Sequence, residues 1–144
     1  MDGIMGPILV DTSVIIDYFR KTKKDETFFV QLTKNYSIAI SNITKFELDI
    51  GIRQIRQSIF LEELYANIDI IELNTACTDL AAKLHRDLKA KNQLIALPDL
   101  LIAATAVVYE LPLATINLKH FQRIELLNCI GPFENPKNNN NHFD

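Results

Sequence analysis

The chain is short of the residues that build several familiar kinds of site. It has two cysteines, Cys77 and Cys129, far apart in the sequence. That spacing offers neither a CxxC zinc site nor a disulfide framework, and a reducing cytoplasm is the expected setting. The four glycines are too few for a phosphate-cradling loop, and no GxxxxGK[ST] sequence occurs. No apolar run is long enough to span a bilayer, and Met1-Asp2-Gly3-Ile4-Met5-Gly6-Pro7 lacks the basic start of a secretory leader. A soluble cytoplasmic protein without membrane attachment is expected. Positive charge is not in excess either: 15 Lys and Arg against 18 Asp and Glu leave a net charge of −3. A chain that coats nucleic acid by bulk charge is excluded, so any such contact must be local.

What the sequence does have is a 48% apolar composition over 144 residues, enough for one domain with a real core and too little for two. We expect that domain to span residues 1–133. The polar stretch 134–144, with four consecutive asparagines before His142-Phe143-Asp144, reads as a disordered tail. Local cationic clusters occur at Arg20, Lys21, Lys23 and Lys24, at Arg53 and Arg56, and at Lys83, Arg86, Lys89 and Lys91. Each is also readable as a solvated helix face.

Apolar periodicity alternates between the two regular structures. Ile8-Leu9-Val10 reads as a buried strand, followed by a helix over Val14–Phe19 that Thr12 or Ser13 can cap. A helix over Glu26–Asn35 leads to a strand at Ile38-Ala39-Ile40, and the chain turns helical again through Phe46, Leu48 and Ile52. Then come a helix near Ile55–Tyr65, a strand at Ile68–Leu73 and an amphipathic helix over Thr75–Lys89 with Leu80, Leu84 and Leu88 on one face. Pro98 opens an apolar helix, Leu100–Tyr109; Leu113-Ala114-Thr115 is a fourth strand and Glu125-Leu126-Leu127 could be a fifth. Strands alternating with helices predict an α/β fold, a parallel sheet between helix layers. In such sheets the crevice lies beyond the carboxyl ends of the strands.

Three acids are placed to meet there. Asp11 directly follows the first strand, Glu47 lies about two helical turns past the second, and Asp99 stands in the first turn of the helix begun by Pro98. Each has a plain alternative: Asp11 as an N-cap, Thr44-x-x-Glu47 as a capping box, Asp99 as a first-turn acid favoured by the helix dipole. The conjunction points further. Carboxylates beside helix N-termini stay ionised, and a hard cation such as Mg²⁺ or Mn²⁺ is held by oxygen ligands and several waters. Such an ion can polarise a phosphodiester and acidify a bound water.

Four ordered blocks carry a family resemblance: Ile8-Leu9-Val10-Asp11-Thr12-Ser13; Ser41-Asn42-Ile43-Thr44-Lys45-Phe46-Glu47-Leu48; Leu97-Pro98-Asp99-Leu100-Leu101-Ile102-Ala103-Ala104; and Leu113-Ala114-Thr115-Ile116-Asn117-Leu118-Lys119-His120-Phe121. In order and spacing they resemble PIN-domain ribonucleases, in particular the VapC-type toxins of bacterial toxin–antitoxin pairs. The resemblance implies a PIN-like three-layer α/β/α fold with a central, mainly parallel sheet of four to five short strands. It implies metal-binding catalytic acids at Asp11, Glu47 and Asp99, steadied by Thr12 or Ser13 and by Thr44, with Asn117 organising the fourth loop. It further implies an RNA substrate, a cognate antitoxin and a homodimer. The chain departs from the family pattern at His120, where an acid commonly precedes the phenylalanine. A neutral imidazole suits Mn²⁺ better than Mg²⁺, and a protonated one could bind phosphate or donate to the leaving oxygen.

The leading expectation is therefore a Mg²⁺- or Mn²⁺-dependent endoribonuclease acting on single-stranded or looped RNA, with Arg20, Lys21, Lys23 and Lys24 as substrate-side cations. The alternative is a catalytically weakened PIN-like regulator that binds RNA or protein. Phosphoryl-transfer receivers fit poorly because Asn74 stands where the phosphorylated Asp is needed after the third strand. Haloacid-dehalogenase-like phosphatases need Asp-x-Asp where Asp11-Thr12-Ser13 stands.

Overall fold

The computed structural model describes residues 4–132; the expected tail at 134–144 lies outside them. Five strands, β1 (Pro7–Val10), β2 (Ser37–Ser41), β3 (Asp69–Ile71), β4 (Leu113–Ala114) and β5 (Cys129–Ile130), form one sheet in the order β3-β2-β1-β4-β5. Every pairing is parallel, with Leu9 opposite Ala39 on one side and Leu113 on the other. The helices are α1 (Thr12–Arg20), α2 (Phe28–Asn35), α3 (Asn42–Ile50), α4 (Ile55–Asn67), α5 (Thr75–Ala90), α6 (Leu97–Val108) and the short α7 (Leu118–Phe121).

Alternation along the strands divides the core into two layers, since successive side chains leave opposite faces. Ile8, Val10, Ile40 and Ala114 pack with Val14, Ile15, Phe29, Leu32 and Leu61 from α1, α2 and α4. Leu9, Ala39 and Leu113 point the other way, against Leu84, Leu88, Leu100, Ile102 and Phe121 from α5, α6 and α7. Both faces of the central strands are buried, hence their unbroken apolar sequences. β1 lies between β2 and β4, so the strand order reverses beside it.

Several boundaries differ from the sequence expectation. The fifth strand is Cys129–Ile130, not Glu125–Leu127, because the Leu113 and Thr115 N–H groups pair with the carbonyls of Asn128 and Ile130. The second helix begins at Phe28, after a 3₁₀ turn at Lys24–Glu26, with Thr27 as its cap. The third helix starts directly after β2 and stops at Gly51. α5 and α6 close on Asn92 and Glu110, both at positive φ, each in a Schellman arrangement whose next N–H reaches back to Leu88 or Ala106. Among the described residues no helix is long and apolar enough to cross a membrane.

Candidate metal centre

The chain leaves β1 at Val10 and turns at once into α1, which makes Asp11 the junction. Its N–H still extends the sheet, donating to the Ala114 carbonyl at 2.9 Å. Asp11 holds the N-cap position, but its side chain makes no capping bond. Its carboxylate is instead turned to hydroxyls: Oδ2 accepts from Ser13 at 2.7 Å and from Thr115, just past β4, at 2.9 Å. Asp11 is 2% exposed, and a buried carboxylate is tolerable only with such donors or a cation. Thr12 and Ser13 are therefore helix residues serving the carboxylates, not caps.

Glu47 is reached from the same junction. Ser41 caps α3, its Oγ accepting the Thr44 N–H at 3.0 Å. The alternative reading of Thr44-x-x-Glu47 as a capping box does not hold; the helix begins earlier and both residues lie inside it. Thr12 Oγ1 stands 2.8 Å from Glu47 Oε1 and 2.9 Å from Thr44 Oγ1, which is 3.3 Å from Ser41 Oγ. An ionised carboxylate only accepts, so the single Thr12 proton goes to Glu47 and the hydroxyls of Thr44 and Ser41 line up behind it.

Asp99 completes the set from α6, whose first turn contains Pro98 and Asp99. Partial burial, then the negative charges of Asp11 and Glu47, push its carboxyl up to about 6, and His120 acts in the opposite direction. Asp99 on α6 thus senses groups that follow β1 and that lie on α3 and α7. Among the described residues no lysine or arginine forms an ion pair with any of the three acids. Nor does any trio of His, Cys, Asp or Glu make a ready-formed cation cage. A magnesium site does not require one, since the ion keeps much of its water shell and takes one or two carboxylates directly. An all-oxygen, unneutralised donor set suits Mg²⁺ or Mn²⁺ and not zinc.

A profile of the PIN domain matches residues 8–126, from the start of β1 to the turn before β5. The chain belongs to the PIN domain family. Among its relatives is Ribonuclease VapC1 of Methanocaldococcus jannaschii, 37% identical over 118 residues that cover 82% of this chain and 81% of the relative. Ribonuclease VapC2 of Rickettsia felis is 32% identical over 127 residues, 81% of this chain and 90% of that one. The solved VapBC2 of Rickettsia felis, bound to a DNA fragment from its promoter, superposes with a TM-score of 0.74 at 27% identity. That likeness covers 88% of this chain and 98% of the other.

Within this PIN domain, hydrogen bonds link Ser13 to Asp11 and Thr12 to Glu47 and Thr44, and Asp99 lies near enough to feel the charges of Asp11 and Glu47. Asn117 takes part through its backbone, whose N–H donates to Thr115 Oγ1 at 2.9 Å; its side chain makes no cap bond on α7. His120 is exposed on α7. Thr115 was missed as a site residue. A threonine just after a short apolar strand carries no local mark of the carboxylate it meets. The PIN domain's cationic cluster is elsewhere. Arg20, Lys21, Lys23 and Lys24 lie at the far end of the nine-residue α1, about 13 Å along its axis from Asp11. Lys21 pairs with Asp17 at 3.6 Å, and Lys24 Nζ donates to the Tyr18 carbonyl while lying 4.5 Å from the Tyr18 ring centroid. Grooves of about 790 and 500 Å³ run between α2 and α4 and between α1 and α4; the three acids line neither.

Proposed function

We propose that the protein is a Mg²⁺- or Mn²⁺-dependent endoribonuclease and the toxin of a toxin–antitoxin pair. The observation that carries this is the set of Asp11 after β1, Glu47 on α3 and Asp99 on α6, near enough for charge to act between them, with no Lys or Arg among the described residues paired to any of the three. The ribonuclease relatives and the resemblance to a VapBC protein support RNA as substrate and an antitoxin as partner. A homodimer belongs to the same reading.

Asp11, Glu47 and Asp99 would hold the ion, which when bound supplies Lewis-acid charge for phosphodiester hydrolysis. Thr12 and Ser13 fix the first two carboxylates from consecutive positions of one helix turn. That sets their relative aim before substrate arrives, and pre-set aim lowers the barrier. No side chain needs to act as a nucleophile. His120, exposed at the edge on α7, is the group that a phosphate or leaving oxygen would meet. The weakened-regulator alternative has only His120 in its favour, whereas the hydroxyls that hold Asp11 and Glu47 support the catalytic reading.

The test is purified, partner-free protein with a panel of structured RNAs in Mg²⁺, in Mn²⁺ and in EDTA, beside Asp11→Asn and Asp99→Asn. Cleavage that needs the metal and disappears in both variants is expected. Equal cleavage in EDTA, or by both variants, overturns the proposal.

A further inference from the structure

We propose that Thr115 is a positioning residue that decides which oxygen of Asp11 is offered to the cation and so sets metal affinity; this rests on the metal-dependent reading above. The argument follows the protons. A hydroxyl has one hydrogen to give. Thr115 Oγ1 already accepts the Asn117 N–H at 2.9 Å, so its own proton is directed to Asp11 Oδ2, 2.9 Å away. Ser13 repeats the arrangement, accepting the Ile116 N–H at 3.3 Å and donating to the same Oδ2 at 2.7 Å. Two consecutive backbone amides of the loop after β4 thereby orient two hydroxyls onto one carboxylate oxygen. Among the described residues the hydrogen bonds to this carboxylate fall on Oδ2 alone. Oδ1 would be the oxygen left free for an ion.

The two hydroxyls are not equivalent. Ser13 is two residues from Asp11 and moves with it; Thr115 is 104 residues away, just past the neighbouring strand, and is fully buried. Thr115 therefore references the carboxylate to a separate, rigid element, and the loop that holds it continues through Asn117 into α7 and His120. Outer hydrogen bonds of this kind tune ligands in metal sites, and losing one costs roughly 10–100-fold in affinity.

The test measures Mn²⁺ binding without RNA, by calorimetry or electron paramagnetic resonance, on four full-length proteins: wild type, Thr115→Val, Thr115→Ser and Thr105→Val. Thr105 is the control, a fully buried threonine whose hydroxyl bonds only the Leu101 carbonyl within α6. Thr115→Val should weaken Mn²⁺ binding by about 10–100-fold, Thr115→Ser should restore most of it, and Thr105→Val should bind as wild type. A folded Thr115→Val that binds Mn²⁺ as wild type overturns the proposal. Should that variant not fold, a Mg²⁺ titration of wild type by NMR decides. The Asn117 amide and the Asp11 carboxyl carbon should shift with one midpoint; a stationary Asn117 amide overturns it. Thr115-dependent Mn²⁺ binding without RNA cleavage would leave this proposal standing and remove the ribonuclease reading. Metal-dependent cleavage with a Thr115-independent affinity would do the reverse.

Discussion

Asp11 and Asp99 stand at the same edge of the sheet, yet the protein treats them in opposite ways. Asp11 is almost wholly buried and receives two hydroxyl protons on one oxygen. Asp99 is only partly buried and, among the described residues, has no hydroxyl to hold it: loss of water acts on it first, then the charges of Asp11 and Glu47 against it and His120 for it. One acid is held by bonds that exist before any ligand binds. The other is left in a repulsive field that a cation would relieve. The difference shows a division of labour in which geometry is stored at the strand and electrostatic demand at the helix.

The largest effect should not distinguish them. Asp11→Asn and Asp99→Asn are each expected to lower metal-dependent RNA cleavage by about 10³-fold or more, since several kcal/mol of charge stabilisation depend on the ion. Stability should then separate them. Asp11→Asn replaces an oxygen that accepts two charge-assisted bonds and should destabilise the metal-free protein by about 1–3 kcal/mol in urea unfolding. Asp99→Asn removes like-charge repulsion and should raise the metal-free Tm. Two destabilised variants would erase the contrast.

The pH dependence sharpens the same point. The Asp99 pKa lies near 6 in the folded, metal-free protein and above its ordinary value, so between roughly pH 4 and 6 the folded state binds the extra proton. The contribution of this group to stability is present below that window and is lost as pH rises through 6. Carboxyl-carbon NMR of metal-free protein should show the midpoint near 6, and saturating Mg²⁺ should move it down. A midpoint unchanged by Mg²⁺ would mean that Asp99 does not face the ion. The smallest effects belong to the far end of α1. Arg20→Ala and Lys23→Ala should each change the salt slope of RNA binding by at most about 1 and leave Mn²⁺ affinity as it was.

Much of this was legible in the sequence because period and position carried it. β1 announces itself as three apolar residues ending in an acid, and α6 as an apolar run opened by Pro98. The parallel topology followed from alternation alone. β5 was not legible: Cys129–Ile130 is a two-residue strand defined by its hydrogen bonds to β4, and no periodicity exists over that length. The start of α3 was ambiguous for a related reason. Ser41, Thr44 and Glu47 satisfy two capping patterns at once, and what decides between them is Thr12, 35 residues away from Glu47. The role of Thr115 was hidden likewise, since a threonine after a strand has no local feature that names a partner 104 residues earlier.

That separation has a consequence during synthesis. Asp11 leaves the ribosome with the first strand, but the strand that flanks β1 on its other side, and the hydroxyl that orients Asp11, follow 104 residues later. At ordinary elongation rates of about 5–20 residues per second, that is roughly 5–20 s in which the growing chain has its first acid and no formed centre. A centre whose first acid waits for a strand made so much later is assembled only after that strand has emerged.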